Sequence, residues 1–227
     1  MLGNGSARPT TAPVDRFFQQ VKEKTGQMQG FDNTIPHAID QAQDAELIGK
    51  TRAGDNKAFE VLVRRYQKLV YNVVYQMVRT HDTANDITQD TFLKAYRALS
   101  SFQSNRSFKP WLLKIATNTA LNAIRDRKSE QSLDDVLEQN PAVEPAGDDD
   151  IEREVEWRVS QKKLFDALGS LPAKQREVFI LRYQQDLPYD EIAEITGNTV
   201  SSVKSLLFRS RETLRKVLSR ELEFNRT

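Results

Sequence analysis

The stretch Leu187–Arg211 reads LPYDEIAEITGNTVSSVKSLLFRSR and places two apolar runs at helical spacing on either side of Gly197-Asn198. Glycine readily takes the left-handed conformation that ends a helix, and Asn198 or Thr199 can cap the helix that follows. Apolar residues on both sides of the break can hold the two helices at a steep angle. They are Ile192, Ala193, Ile195, Val200, Val203 and Leu206. The spacing predicts a helix-turn-helix, whose second helix typically enters the major groove of DNA.

The predicted second helix carries a phenylalanine away from its buried side. Its apolar stripe recurs every three or four residues, as expected of an amphipathic helix. The stripe consists of Val203, Leu206, Leu207, Ser210 and Leu214. Phe208 falls outside it, and two interpretations stay open. The ring contacts a thymine methyl group or the wall of the groove, or it packs against a neighbouring helix of its own domain.

Polar and basic residues surround Phe208 and are candidate DNA contacts. They are Ser201, Ser202, Lys204, Ser205, Arg209, Arg211 and Arg215. Residues 196–220 hold six basic residues and one acid, a net charge of +5. A helical hairpin with solvated charges would show a similar pattern, but the charge favours contact with a polyanion.

The composition excludes several classes of function. The chain has 227 residues and no cysteine, which rules out disulfides, thiolate catalysis and cysteine-ligated metal. Two histidines far apart in sequence give no metal site, and no cofactor is expected. No apolar run reaches the roughly 18 residues that cross a membrane, and the first residues lack the apolar core of a signal peptide. We expect a soluble, cytoplasmic protein without membrane insertion.

Charge is segregated along the chain although the totals nearly balance, with 33 basic and 32 acidic residues. Residues 94–128 hold eight bases and one acid, a net charge of +7. Residues 130–156 hold eleven acids and one base, a net charge of −10. Two basic blocks therefore flank an acidic spacer, which indicates contact with a polyanion at two places.

Periodicity predicts an all-α protein, because no alternating apolar run indicates a strand. Asp44 is a candidate N-cap of the first helix and Gly54 its stop. Two prolines, a glycine and dense acid interrupt the pattern after residue 128, as in a linker. We predict two small helical domains joined by a flexible acidic linker, the C-terminal one a helix-turn-helix. The predicted segments are a disordered extension at 1–43, domains at 44–128 and 158–227, and the linker at 129–157.

The N-terminal domain contains a second candidate DNA surface. The helix after Pro110 carries polar and aromatic residues on one face: Trp111, Lys114, Asn118, Asn122 and Arg125. The loop before it contributes Phe102, Asn105, Arg106 and Phe108. Asparagine amides can pair with base edges and aromatic rings can stack on unpaired bases, so this block fits single-stranded DNA. Phe108 and Trp111 could equally belong to the core.

The helix before that loop has a mixed surface of Asp86, Gln89, Asp90, Leu93 and Arg97. Such a surface suits a protein-binding patch, although a solvated helix face often looks the same.

Five segments complete a resemblance when they are taken in order. They are AGDNKAFEVLVRRYQKLVYNVVYQMV, DITQDTFLKAYRALSSF, SFKPWLLKIATNTALN, LPAKQREVFILRYQQDLPYDEIAEITG and VKSLLFRSRETLRK. Together they resemble the two conserved domains of the extracytoplasmic-function sigma factors of bacterial RNA polymerase. The resemblance spans residues 44–128 and 158–220, the sigma region 2 and region 4 domains.

The resemblance implies an alternative sigma factor that directs core RNA polymerase to promoters. It implies that Asp86, Gln89, Asp90 and Phe92 dock on the clamp coiled coil of the largest subunit. It implies that Phe102, Asn118 and Asn122 open and read the −10 element, and that Lys204, Ser205, Phe208 and Arg209 read the −35 element. Further implied partners are the flap of the second largest subunit and an anti-sigma factor. The chain departs from the family at Asn85, where an acid is usual, and at Leu206, where arginine is frequent.

Two other classes of protein share parts of this pattern. A helix-turn-helix repressor or activator that acts without polymerase would bind a palindromic duplex tightly by itself. A recombinase or nuclease would need a nucleophile or a carboxylate cluster beside the basic surface, but the acids of the linker lie in a stretch containing proline and glycine. We therefore do not expect an enzyme.

Overall fold

The computed structural model describes residues 37–103, 106–131 and 162–224, and the regular elements of these segments are all helices. The elements are α1 (His37–Arg52), α2 (Asn56–Val78), α3 (His81–Ala98), a 3₁₀ turn (Leu99–Ser101), α4 (Phe108–Gln131), α5 (162–169), α6 (Ala173–Tyr183), α7 (Tyr189–Thr196) and α8 (Val200–Phe224). The predicted all-α class with two helical domains is confirmed. No helix in the described segments is long and apolar enough to cross a membrane.

Helix α2 is the centre of the N-terminal domain. Its apolar stripe is fully enclosed by α1, α3 and α4, which pack around it. The Asp55 carboxylate caps its start by accepting a hydrogen bond from the Lys57 amide at 3.0 Å. The helix ends at Arg79, whose φ of 67° lies in the left-handed region and whose amide donates to the Tyr75 carbonyl. These caps fix where α2 begins and ends.

Asp44 is not the N-cap that the sequence predicts. Helix α1 begins at His37, so Asp44 lies inside it with a buried side chain. Its carboxylate accepts hydrogen bonds from Tyr66 Oη at 2.5 Å and Arg65 Nη1 at 2.7 Å. The predicted domain boundary at residue 44 therefore falls within a helix, and the rest of the predicted extension, 1–36, lies outside the described residues.

The C-terminal domain contains the predicted helix-turn-helix. Helix α7 ends at Gly197, whose φ of 64° is left-handed and whose amide donates to the Ala193 carbonyl. Thr199 then caps α8, because its Oγ1 accepts from the Ser202 amide at 3.2 Å. Helices α6, α7 and α8 pack on one another, and the helix-turn-helix prediction is confirmed.

The two domains pack together in this structure. One continuous buried cluster contains Met77 and Leu113 of the N-terminal domain together with Val178 and Ile192 of the C-terminal domain. Helix α4 continues to Gln131, three residues beyond the predicted end of its domain. Most of the predicted linker, from residue 132 onward, lies outside the described residues.

Candidate nucleic-acid interface

Helix α8 presents a polar and basic row to solvent while its apolar stripe is buried. The exposed members are Ser201, Lys204, Ser205, Phe208, Arg209 and Arg211. Val203, Leu207 and Leu214 point inward and hold the helix on its domain. The Phe208 side chain is 58% exposed, so the alternative that it packs inside its own domain is wrong. An exposed phenylalanine flanked by cations is free to enter a groove.

Two predicted residues of this helix have other partners. Ser202 is half-buried; its amide donates to the Thr199 cap, and its hydroxyl lies 3.5 Å from Asn198 Oδ1. It therefore organises the start of α8 and is less available to DNA than the sequence predicts. Arg215 is half-buried and forms an ion pair with Glu212, which a phosphate would have to replace.

Tyr189, which the sequence reasoning missed, lies next to the reading helix. It occupies the first position of α7, and its ring has Arg182 Cζ at 5.3 Å and Lys204 Nζ at 5.7 Å from its centroid. Cations are attracted to the negative face of an aromatic ring, so Tyr189 favours one orientation of Lys204. The sequence places an aromatic after Pro188, but only the fold brings it to Lys204.

The second candidate surface lies along the outer side of α4. The side chains of Lys114, Asn118, Asn122 and Arg125 are exposed there, while Leu112, Leu113, Ala116 and Ala120 are buried on the inner side. Arg125 Nε lies 3.4 Å from Asp126 Oδ1. The exposed amides can present donors and acceptors to base edges. Asn105 lies outside the described residues.

Two aromatic side chains at the entrance to α4 are in the core and do not form a stacking surface. Phe102 and Phe108 are both buried; Phe102 packs at 4.9 Å on the half-buried Trp111, and Phe108 packs at 5.4 Å on Tyr66. The prediction that Phe102 and Phe108 contact DNA does not hold in this structure, because exposing either ring would open the core. Trp111 is only half-buried, and its ring packs on Phe108 with 5.5 Å between the ring centroids.

The sequence also does not predict the role of Arg52. From the end of α1 its guanidinium donates to the Leu99 carbonyl at 2.8 and 3.0 Å and to the Phe102 carbonyl. These bonds tie down the 3₁₀ turn that leads into the loop. An arginine 47 residues away in sequence gives no local signal of this role.

The mixed face of α3 is exposed as predicted, but Phe92, which the resemblance adds to it, is not part of that face. Asp86, Gln89 and Asp90 are exposed, but Phe92 is buried in the core beside Ile87, because it falls on the inner stripe of the helix. Leu93 is the exposed apolar side chain of this face, 54% exposed. Phe92 is therefore not available on the exposed face of α3, to which Leu93 belongs.

No group of three or more histidine or acidic side chains able to hold a metal ion occurs among the described residues.

Comparison with known proteins matches both domains. The family model for sigma-70 region 2 matches residues 62–130, and the model for sigma-70 region 4 matches residues 161–214. The ECF RNA polymerase sigma-E factor of Haemophilus influenzae is 33% identical over 180 residues, covering 77% of this chain and 95% of that protein. The RNA polymerase sigma-H factor of Pseudomonas aeruginosa is 34% identical over 191 residues, covering 79% and 96%.

Solved structures of similar fold match most of this chain as well. The sigma factor RpoE of Bartonella quintana, in complex with the anti-sigma factor NepR, superposes with a TM-score of 0.60 at 28% identity, covering 72% of this chain and 98% of that one. CnrH, in complex with the cytosolic domain of CnrY, shares the fold with a TM-score of 0.59 at 24% identity, covering 78% of this chain and 97% of that one. The chain belongs to the extracytoplasmic-function family of RNA polymerase sigma factors.

Proposed function

We propose that this sigma factor binds core RNA polymerase and reads promoters at two elements, the −35 element with α8 and the −10 element with α4. The observation that carries the proposal is the pair of sigma regions in one chain, each with an exposed polar face on one helix. A helix-turn-helix repressor would account for α8 but not for a region 2 domain.

Different residues of α8 would contact the bases and the phosphates. Lys204, Ser205 and Arg209 face outward near the start of the helix, where they can reach base edges, and Phe208 can cover a thymine methyl group. Arg211, Arg215 and Lys216 lie further along the helix and would contact phosphates, which supply affinity and register.

On α4 the exposed amides of Asn118 and Asn122 would hold bases of the opened strand. Extruding a base costs a few kcal/mol, which hydrogen bonds and stacking must offset. The half-buried Trp111 ring would supply part of that stacking, while Lys114 and Arg125 would bind the backbone. Arg106 would contribute a further cation from the loop.

The surface of α3 formed by Asp86, Gln89, Asp90 and Leu93 would dock on the clamp coiled coil of the largest polymerase subunit. The C-terminal domain would contact the flap of the second largest subunit. An anti-sigma factor would be a further partner, since the similar sigma factor RpoE of Bartonella quintana forms such a complex with NepR. The protein would act in the cytoplasm at the nucleoid and carry out no catalysis of its own.

Co-purification with bacterial core polymerase, followed by footprinting on promoter DNA, tests this proposal. We expect a stoichiometric complex that protects both elements, and weak duplex binding by the free protein. Tight binding of the free protein to a palindrome, with no affinity for core polymerase, would instead establish a polymerase-independent repressor or activator.

A further inference from the structure

Three side chains from three helices of the C-terminal domain meet beside the exposed row of α8. Tyr189 is the first residue of α7, and it is 38% exposed. Arg182 Cζ of α6 lies 5.3 Å from the centroid of the Tyr189 ring, and Lys204 Nζ of α8 lies 5.7 Å from it. A cation within about 6 Å of an aromatic centroid is attracted to the ring. We call these three residues the aromatic–cation cluster.

The place of the Tyr189 ring is set by α7. Tyr189 precedes the buried Ile192 and Ala193 by three and four residues, and side chains at that spacing share one face of a helix. Helix α7 packs on α8, so the ring lies at the end of a packed face. Its backbone position relative to α8 is therefore fixed by the core of the domain.

Arg182 holds a permanent cation beside the ring. Its guanidinium donates to the Leu187 carbonyl at 2.9 Å and to Asp186 Oδ1 at 3.3 Å. Both acceptors belong to the turn between α6 and α7, where Asp186 has a left-handed φ of 48°. Arg182 is thus anchored by the turn that leads into Tyr189.

Lys204 differs from Arg182 because only its backbone is fixed. Val203 and Leu207 are buried on the inner side of α8, whereas the Lys204 side chain is exposed. In the described part of the chain, no carboxylate forms an ion pair with Lys204. A lysine ammonium on its flexible four-carbon stem can take many positions. The Tyr189 ring favours one of them.

The position of this ammonium matters for sequence recognition. A lysine on a helix in the major groove can contact phosphates, which carry no sequence information, or O6 and N7 of guanine, which do. A mobile ammonium reaches both kinds of acceptor. A contact within the protein that favours one position changes the balance between them.

We propose that Tyr189 is a positioning residue for promoter recognition, which holds the Lys204 ammonium where it reads a guanine of the −35 element. This role rests on the proposed function, because it requires α8 to read that element. Tyr189 acts through Lys204, so the role depends on its aromatic ring and not on its hydroxyl group.

Initiation by core polymerase with this protein, on promoters randomised over the −35 element, tests the role. Lys204→Ala identifies the base pair that Lys204 reads, as the position where the preference for guanine is lost. At that position Tyr189→Leu should reduce the preference about threefold, the size expected of an exposed cation–π contact. Tyr189→Phe keeps the ring and should keep the preference. Preferences at the other positions should stay unchanged in both Tyr189 variants.

The double variant Tyr189→Leu/Lys204→Ala separates positioning from other roles. It should behave as Lys204→Ala does, because the ring has nothing left to position. An additive loss, or an equal loss at every position, would overturn the role and assign Tyr189 to the fold or to a DNA contact of its own. A loss in Tyr189→Phe as large as that in Tyr189→Leu would overturn it in favour of the hydroxyl group. A Lys204→Ala variant that loses no guanine preference would also overturn it.

Nuclear magnetic resonance of the free protein checks the contact without DNA. The ring current of Tyr189 should move the Lys204 Hε signals upfield, and Lys204→Arg identifies these signals by their disappearance. Tyr189→Phe should retain the shift and Tyr189→Leu should remove it. Signals at the same position in wild type and Tyr189→Leu would overturn the contact.

The outcomes distinguish this role from the proposed function. A wild-type protein that directs initiation with a −35 preference that Tyr189→Leu leaves unchanged refutes the positioning role alone. A wild-type protein that directs no initiation refutes the promoter function and, with it, the role of Tyr189 in promoter recognition.

Discussion

Glu177 is a carboxyl group enclosed where the two domains meet, with only 2% of its surface exposed. Burial raises its pKa to about 7, and the Thr117 hydroxyl of α4 and the Lys174 ammonium of its own helix offset only part of that effect. A carboxyl whose pKa is raised in the folded protein stabilises the fold when protonated. That contribution is complete below the ordinary pKa of 4.5 and is lost as pH rises to about 7.

We therefore predict that Glu177→Gln makes stability less dependent on pH. Between about pH 4.5 and about pH 7 the wild-type free energy of unfolding should fall relative to that of the variant by about 3 kcal/mol. Urea denaturation of both proteins at several pH values measures the difference. A constant difference across this window would mean that Glu177 keeps an ordinary pKa.

Phe208 should affect promoter choice without affecting stability. Phe208→Leu removes an exposed ring, so we expect an unchanged melting temperature and about fivefold weaker discrimination at the −35 element, the effect of about 1 kcal/mol. The neighbouring Leu207→Ala is the control, because truncating a buried leucine should cost about 2–5 kcal/mol of stability. A melting temperature lowered by Phe208→Leu would place the ring in the core after all.

At the scale of residues, helical periodicity predicts correctly which side chains of a helix are exposed. It does not predict burial that depends on contacts with residues distant in sequence. Phe208 lies off the stripe of α8, and the structure exposes it. Phe102 lies in a loop and Phe108 at the start of a helix, where helical periodicity does not predict which side chains face the core. Asp44 has the residue type of a cap, but its partner Tyr66 lies 22 residues away.

At the scale of elements, α4 has two distinct faces, of which the inner one packs on both domains and the outer one carries exposed amides. Helix-boundary signals such as Gly54, Pro110 and Gly197 lie close to the observed helix boundaries because they act on the nearest backbone groups. The start of α1 was missed because residues 37–43 lack an apolar period.

The outer face of α4 should act in promoter opening. Asn118→Ala and Asn122→Ala should each reduce the rate of open-complex formation by about tenfold, the effect of about 1.4 kcal/mol, because each variant loses contacts to an unpaired base. Permanganate reactivity of unpaired thymines measures opening, and co-purification measures polymerase binding. Equal losses in the two assays would indicate a folding defect instead.

The outer face of α3 should act in polymerase binding. Leu93→Ala removes an exposed apolar side chain, so core affinity should fall by about fivefold, or about 1 kcal/mol, with stability unchanged. The adjacent Phe92→Ala should instead cost about 3–5 kcal/mol of stability, because its ring is in the core. Titration of labelled protein with core polymerase checks the first result, and chemical denaturation checks the second.

At the scale of the whole molecule, two helical domains follow from the interrupted periodicity and the acidic stretch between the basic blocks. The packing of the two domains on each other cannot be predicted from the sequence, because the apolar residues that join the domains have the same spacing as those inside each domain. Met77, Leu113 and Ile192 all read as core positions, and only the structure shows that they share one cluster. The interface arginines, Arg79 and Arg176, likewise resemble ordinary surface cations in the sequence.

Run-off transcription with core polymerase and this protein, on a library of genomic fragments, tests the central claim most directly. The account predicts initiation that depends on the added protein, from fragments that share two conserved elements at a fixed spacing of about 25 base pairs. Transcription no greater than that of core polymerase alone would contradict it.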